Sequence, residues 1–330
     1  MYPTLFHIPI LHMPIYAFGL MMVFAFLATQ WLAGKLAALK GLDPEIFVNL
    51  ALIALVSGVI GSRASSVLEN LSYYANPRLG FWENFINIIN IRSGGLTYYG
   101  GVMLASPIVL GYLFYKKVRP RVAMDIVAPC LTLGLAIGRI GCFLNGCCYG
   151  APAQVPWAVQ FPYSYTGAYA DEVDQGKIIA PIELQVPTAG GHFRLVRNDE
   201  LEQGYVLTGD PQQPKLYLPA NAKAIAATQH SLPVHPAELY STLTALLITA
   251  VLLCYFFLPH SPGRVFAMML MLEGPSRFLL EMLRVEPAVL GPMSLSMVIG
   301  LVLFPVGVIL WFVFAPTRNE QPGFSVLQPA

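Results

Sequence analysis

Charged residues stand inside the apolar runs of this chain at spacings that could bind an anion. In "LEGPSRFLLEMLR", Glu273, Arg277, Glu281 and Arg284 follow one another at separations of four, four and three residues, which a helix turns into a single stripe. "GRIGCFLNGCCYG" sets Arg139 between Gly138 and Gly141, just ahead of Cys142, Cys147 and Cys148, and "GSRASS" holds Arg63. A charge at the centre of a bilayer costs roughly 3 kcal/mol or more, so each needs a partner or a ligand. For any one of them alone, a helix-packing pair is the simpler reading. Alternating signs on one stripe face an interior, where glutamates partly neutralise the arginines and hold their rotamers. A guanidinium held in this way presents a planar fork that matches a phosphate. The expected chemistry is recognition of an anionic ligand.

Glycines accompany these charges. Gly134, Gly138 and Gly141 make a smooth helix face that a neighbouring helix or a lipid chain can approach closely. Gly146 and Gly150 are expected to end that helix and expose backbone N–H groups that could cradle a headgroup. In "RSGGLTYYGG", Gly94, Gly95, Gly100 and Gly101 frame Tyr98 and Tyr99. This frame predicts close backbone contact at a pocket wall with tyrosine hydroxyls as donors, although interfacial tyrosines are common in any membrane protein. The chain has five cysteines, so at least one is unpaired. No second Cys/His pair stands at ligand spacing, so no metal site is expected. Cys142, Cys147 and Cys148 read instead as small helix-end residues, open to oxidation if that end faces an oxidising compartment, and Cys130 and Cys254 as membrane core.

The elements that position these residues follow from hydropathy. The 330 residues are 56% hydrophobic and 11% charged, with a mean hydropathy of +0.60, which argues against an aqueous globular domain. Apolar runs near 14–34, 46–68, 96–115, 123–144, 236–258, 264–284 and 292–315 are long enough for the roughly 20 residues a membrane helix needs. The expected fold is therefore an all-α integral membrane protein of about seven transmembrane helices. "MYPTLFHIPILHMP" has no Lys or Arg, so the first span is expected to be retained rather than cleaved as a signal peptide. Lys35, Lys40, Lys116, Lys117, Arg119, Arg121, Arg264 and Arg318 fall on one side, against Arg78, Arg92 and Arg284 on the other. The positive-inside rule then puts the N-terminus outside and the C-terminus in the cytoplasm. Three regions result: 1–149 with four helices and the headgroup signature, a polar insert at 150–234 on the outer side, and 235–330 with three helices and a short tail. Within the insert, "GYVLT" and "KLYL" could pair as strands around "TGD". No internal repeat is evident, so the inverted-repeat design of many transporters finds no support.

Taken in order, "RSGGLTYYGG", "GRIGCFLNGCCYG", "VHPAELYS" and "GPSRFLLEMLR" resemble the prolipoprotein diacylglyceryl transferase family, over essentially the whole chain outside the insert. The resemblance implies a multi-pass enzyme of the bacterial inner membrane. Its reaction moves the diacylglyceryl group of phosphatidylglycerol onto the lipobox cysteine of a preprolipoprotein signal peptide and releases glycerol phosphate. It implies no metal, no organic cofactor and no nucleic-acid partner; membrane lipids and the signal peptide are the partners. Arg139 and Arg277 match the family's essential arginines, and Arg63 a further arginine near the headgroup. Asn145, Gly146 and Gly150 keep the rest of the signature, His235 and Tyr240 belong to the His-Pro motif, and Glu281 matches an acidic residue after the arginine of the sixth span. Gly95, Gly100 and Glu273 join these as candidate substrate-binding residues, and Tyr99 joins the two arginines as a candidate catalytic residue.

The chain departs from the family pattern at four positions. The family often has histidine at the place of Tyr99, asparagine at Cys142, an acidic residue at Cys147 and tyrosine at Phe18, and the insert is longer than usual. The usual general base is thus absent. Thiolate attack on a glycerol carbon builds charge on the leaving phosphate oxygen, which fixed arginines stabilise, and nearby guanidinium groups favour the acceptor thiolate. A strong protein base is then dispensable, with Tyr99 a hydrogen-bond donor. Two other readings stay open: a divergent paralogue using another phospholipid or acceptor, and a transporter using the buried charges as a pathway.

Overall fold

A computed structural model describes residues 4–8, 13–74, 80–90, 97–164, 167–187, 193–207, 215–284 and 288–315. A hairpin of β1 (Thr4–Ile8) and β2 (Met13–Tyr16) leads into α1 (Ala17–Leu39) and α2 (Pro44–Glu69). Two short helices, α3 (Leu71–Tyr74) and α4 (Phe81–Ile89), precede α5 (Tyr98–Tyr115) and α6 (Pro120–Asn145). The polar stretch folds as α7 (Ala168–Asp174), β3 (Gln185–Pro187), β4 (Phe193–Leu195), α8 (Asn198–Gln203), β5 (Tyr205–Leu207), β6 (Lys215–Tyr217) and α9 (Ala222–Thr228). After it come α10 (Ala237–Phe256), α11 (Arg264–Glu281), a hairpin of β7 (Ala288–Leu290) and β8 (Met293–Ser294), and α12 (Leu295–Val313).

A helix of at least 18 residues occupies each of the expected apolar stretches. Five of them, α1, α2, α6, α10 and α12, are long and apolar enough to cross a membrane. α5 is apolar from Gly100 to Tyr115 but shorter, and α11 holds four charges, Arg264, Glu273, Arg277 and Glu281. Helix ends follow local chemistry. The Asp43 carboxylate accepts from the Glu45 N–H at 2.9 Å ahead of Pro44, a residue whose missing donor suits a first turn. α6 stops at Asn145 because Gly146 turns left-handed at φ +71.

Contacts divide the chain into two units. The first comprises Met1–Phe26, Thr132–Ala250 and Leu270–Val306. Here a Cβ on Gly141 would lie 3.1 Å from Met21 Cβ and 3.3 Å from the Phe18 ring, so the glycine face of α6 receives α1. Gly274 and Gly300 let α11 and α12 cross closely, a Cβ on either standing 2.6–2.7 Å from the other's carbonyl oxygen. The polar stretch builds small cores of its own, one on Tyr163, Tyr169 and Leu184, another on Val186, Val196 and Val206. The strand pair expected from "GYVLT" and "KLYL" forms, with Tyr205 opposite Tyr217 and Val206 opposite Leu216.

The second unit comprises Leu27–Leu131, Val251–Met269 and Gly307–Ala330. α2 and α5 pack backbone to backbone: a Cβ on Gly100 would sit 2.6 Å from the Gly61 carbonyl oxygen, and one on Gly101 would sit 2.9 Å from that of Gly58. Buried Asp125 accepts from the N–H groups of Gly263 (2.6 Å) and Phe266 (3.1 Å), so a carboxylate meets the positive end of α11.

Candidate functional site

Most of the expected site residues lie in the first unit. Arg139 is half-buried on α6, and among the described residues no hydrogen bond or ion pair engages its guanidinium. Its charge acts on Arg277, Glu273, Glu238 and Cys148, so these groups share one neighbourhood. Arg277 donates from Nη2 to Ser296 Oγ at 3.0 Å. The expected neutralisation of the arginines by their stripe glutamates takes a different form. Glu281, 2% exposed, instead accepts from Ser294 Oγ at 3.1 Å and pairs with Arg284 at 3.4 Å. The hydroxyl at the start of α12 and the cation three residues on draw it away from Arg277. Glu273 has no hydrogen bond or ion pair with a described residue. Two guanidinium groups therefore face one interior without a carboxylate in contact, an arrangement suited to an anion.

Three sequence motifs meet at Gly150. Its N–H donates to the His235 carbonyl at 2.9 Å, the His235 N–H returns to the Ala151 carbonyl at 3.0 Å, and the Ala151 N–H reaches the Leu283 carbonyl at 2.7 Å. A Cβ on Gly150 would stand 2.7 Å from His235 Cβ and 2.8 Å from the Leu283 oxygen. The signature loop, the His-Pro motif and the end of the charged stripe are thus stitched together. The N–H groups of Gly146 and Gly150, expected to be exposed, are engaged within this junction. The Gly146 N–H bonds Phe143, the Cys147 N–H bonds Cys142, and the Gly150 N–H bonds His235, so all three donors serve the turn itself. The Gly146 carbonyl likewise accepts from the Ala168 N–H at 3.2 Å. His235 Nδ1 lies 3.3 Å from Tyr240 Oη, which accepts from Trp157 Nε1 at 2.6 Å.

The same turn gathers the cysteines. The sulfurs of Cys142, Cys147 and Cys148 lie within 4.8 Å of one another, and Asn145, closing α6, offers a side-chain hydrogen bond to Cys147. Thiol hydrogen bonds from Cys142 and then Cys147 hold the Cys148 thiol below its ordinary range, helped by Arg284 and Arg139. Cys148 and Arg284 line one cavity with Tyr149, Gly150, Asp171 and Glu172. Sequence reasoning passed over Glu238, which is fully buried at the start of α10 with neither carboxylate oxygen hydrogen-bonded. A lone acid at the head of an apolar run was the available signal.

The second unit holds the other candidates. Arg63, 7% exposed, donates from Nε to the Ile88 carbonyl (2.7 Å), from Nη2 to those of Asn87 (2.6 Å) and Asn90 (2.9 Å), and from Nη1 to Tyr74 Oη (3.0 Å). It caps the C-terminus of α4, where a cation suits the helix dipole, and a phosphate would have to displace these acceptors. Gly100 makes the expected close backbone contact, with Gly61 of α2. Tyr99 lies in the first turn of α5; its side chain and Gly95 lie outside the described residues.

Comparison with known proteins agrees with this geometry. Residues 3–313 match the family profile described as prolipoprotein diacylglyceryl transferase. A phosphatidylglycerol–prolipoprotein diacylglyceryl transferase of Corynebacterium glutamicum is 29% identical over 311 residues, 93% of this chain and 81% of the relative. The Clostridium tetani enzyme of the same name is 25% identical over 325 residues, 97% of this chain and 100% of the relative. One from Fusobacterium nucleatum is 35% identical over 144 residues, 44% of this chain and 48% of the relative. With the profile matched along nearly its full length and the signature arginines gathered in one interior, the chain belongs to the prolipoprotein diacylglyceryl transferase family.

Proposed function

We propose that this protein transfers the diacylglyceryl group of phosphatidylglycerol to the lipobox cysteine of preprolipoprotein signal peptides, releasing glycerol phosphate. The observation that supports it best is the pair Arg139 and Arg277, near enough for their charges to interact and without an ion pair between them and any described carboxylate. Bound between them, the lipid phosphate supplies the missing countercharge. As the carbon–oxygen bond breaks, charge grows on the leaving oxygen, and donors already in place stabilise it without reorganisation. The acceptor thiol, with an ordinary pKa near 8.5, ionises more readily beside guanidinium groups. Asn145, His235 and Tyr240 line the approach to this phosphate, while Glu273 and Glu281 set the charge around Arg277.

The chain sits in the bacterial inner membrane with seven spans, α5 and α11 completing the five apolar ones. Its N-terminus and the 150–234 insert face the periplasm and its C-terminus the cytoplasm, as the basic connections favour. α11 tolerates its charges because they line the ligand site rather than lipid. The test is transfer in proteoliposomes, from phosphatidylglycerol to a lipobox peptide, read as peptide mass gain and released glycerol phosphate. Transfer by the unaltered protein, lost in Arg139→Ala and Arg277→Ala, is expected. A folded protein that gives no transfer overturns the proposal.

A further inference from the structure

We infer that Cys142, Cys147 and Cys148 form a three-thiolate site for a zinc ion, with its fourth coordination position open to an incoming thiol. The three sulfurs lie within 4.8 Å of one another, on free, half-buried cysteines. Tetrahedral zinc with bonds of about 2.3 Å holds its sulfurs roughly 3.8 Å apart, a distance that side-chain rotation reaches. The backbone prepares the tripod. Cys142 sits in the last turn of α6, the Cys147 N–H returns to the Cys142 carbonyl at 3.1 Å, and left-handed Gly146 (φ +71) and Cys148 (φ +68) fold the chain back.

Glu238 is 0% exposed, and its charge and that of Cys148 repel one another, a repulsion that a cation held on the sulfurs relieves. Cys148 also lines the cavity that Arg284 and Tyr149 border, which provides an entry path. Zinc on three thiolates keeps one net negative charge, offset by Arg139 and Arg284, both of which act on Cys148. Among the described residues no His, Asp, Glu or further Cys joins the three sulfurs. Three protein ligands with a vacant position is the pattern of reactive rather than structural zinc.

Loading forms three Zn–S bonds and releases the protons that the thiols still hold. The function of the open position rests on the transferase reading. There zinc would hold the acceptor cysteine through its sulfur and favour its thiolate, the thiol proton going to solvent. Its sulfur then attacks the glycerol carbon, so that an S–C bond forms and the C–O bond to phosphate breaks. The leaving glycerol phosphate keeps the oxygen electron pair and takes up a proton from solvent, and the thioether product, a weak zinc ligand, would dissociate. Zinc would thus activate the thiol in a chain that has Tyr99 at the family's usual histidine position.

The experiment uses the full-length protein in detergent. Metal content is measured after zinc loading and desalting, and cobalt is substituted to read sulfur-to-metal charge-transfer absorption. One zinc per chain is expected, lost in Cys142→Ser and in Cys148→Ser, with a cobalt spectrum that shifts on adding a cysteine lipobox peptide but not its serine analogue. No zinc and no cobalt–thiolate absorption in the unaltered protein, or a disulfide among the three cysteines in protein purified without reductant, overturns the site. A cobalt spectrum blind to the cysteine peptide overturns the open position. Diacylglyceryl transfer that survives complete chelation refutes the catalytic role and leaves the transferase reading intact. A loaded protein that binds the peptide but transfers nothing refutes the transferase reading and leaves the metal site standing.

Discussion

Replacing Gly150 by alanine tests whether that glycine holds a junction or touches the lipid. The added Cβ would lie 2.7 Å from His235 Cβ, 2.8 Å from the Leu283 oxygen and 2.9 Å from the His235 oxygen. All three neighbours are backbone or backbone-proximal, so no flexible side chain can swing away. Overpacking of this kind costs about 1–3 kcal/mol, and weakening the Gly150-to-His235 hydrogen bond at 2.9 Å adds about 1 kcal/mol. A loss of roughly 2–4 kcal/mol in stability follows from these two contributions. The junction also sets Cys148, His235 and the end of the charged stripe against one another, so each ~1.4 kcal/mol of misplacement felt in the transition state slows transfer about tenfold. The assay pairs a thermal melt in detergent with the transfer rate over a range of phosphatidylglycerol concentrations. A lower melting temperature together with a lower kcat is expected. A wild-type melt accompanied by a raised KM for the lipid would refute the junction and restore the headgroup cradle.

Three other outcomes follow from the same geometry. Arg139→Lys and Arg277→Lys keep the charge but lose the planar fork; transfer should fall by about 10²–10³, the usual effect of removing one fixed donor, while vesicle binding changes little. Arg63→Met removes at least four hydrogen bonds, to Tyr74 of α3 and to carbonyls at the end of α4, and should destabilise the protein by about 3 kcal/mol or more at ~1.5–3 kcal/mol per charged hydrogen bond, with unchanged KM for phosphatidylglycerol in whatever folds. Glu172, 1% exposed, accepts from the Leu232 N–H at 2.8 Å, and burial raises its pKa. The folded state therefore holds this proton more tightly than the unfolded one, so its contribution is full at low pH and is lost as pH rises through the raised value. Proteolysis of the insert should accelerate over that rise, and Glu172→Gln should flatten the profile; a profile unchanged by the substitution would contradict this.

The sequence alone determined the long helices and the character of the site. Long, largely apolar runs must bury their backbone polar groups in helices wherever water is excluded, which is why α1, α10 and α12 are legible at once and α2 and α6 in spite of Arg63 and Arg139. The four, four and three spacing put the α11 charges on one stripe, and Gly146 marked the end of α6 because few residues other than glycine tolerate its left-handed turn. Tertiary structure alone decided the partners. Glu281 chooses Ser294 and Arg284 over Arg277, Arg63 caps α4, and Gly100 packs on α2. It also drew Cys142, Cys147 and Cys148 together and left Glu238 buried without a hydrogen bond. Periodicity reports the face on which a residue lies. Distances between groups on different elements depend on how those elements pack, and nothing in local spacing encodes them.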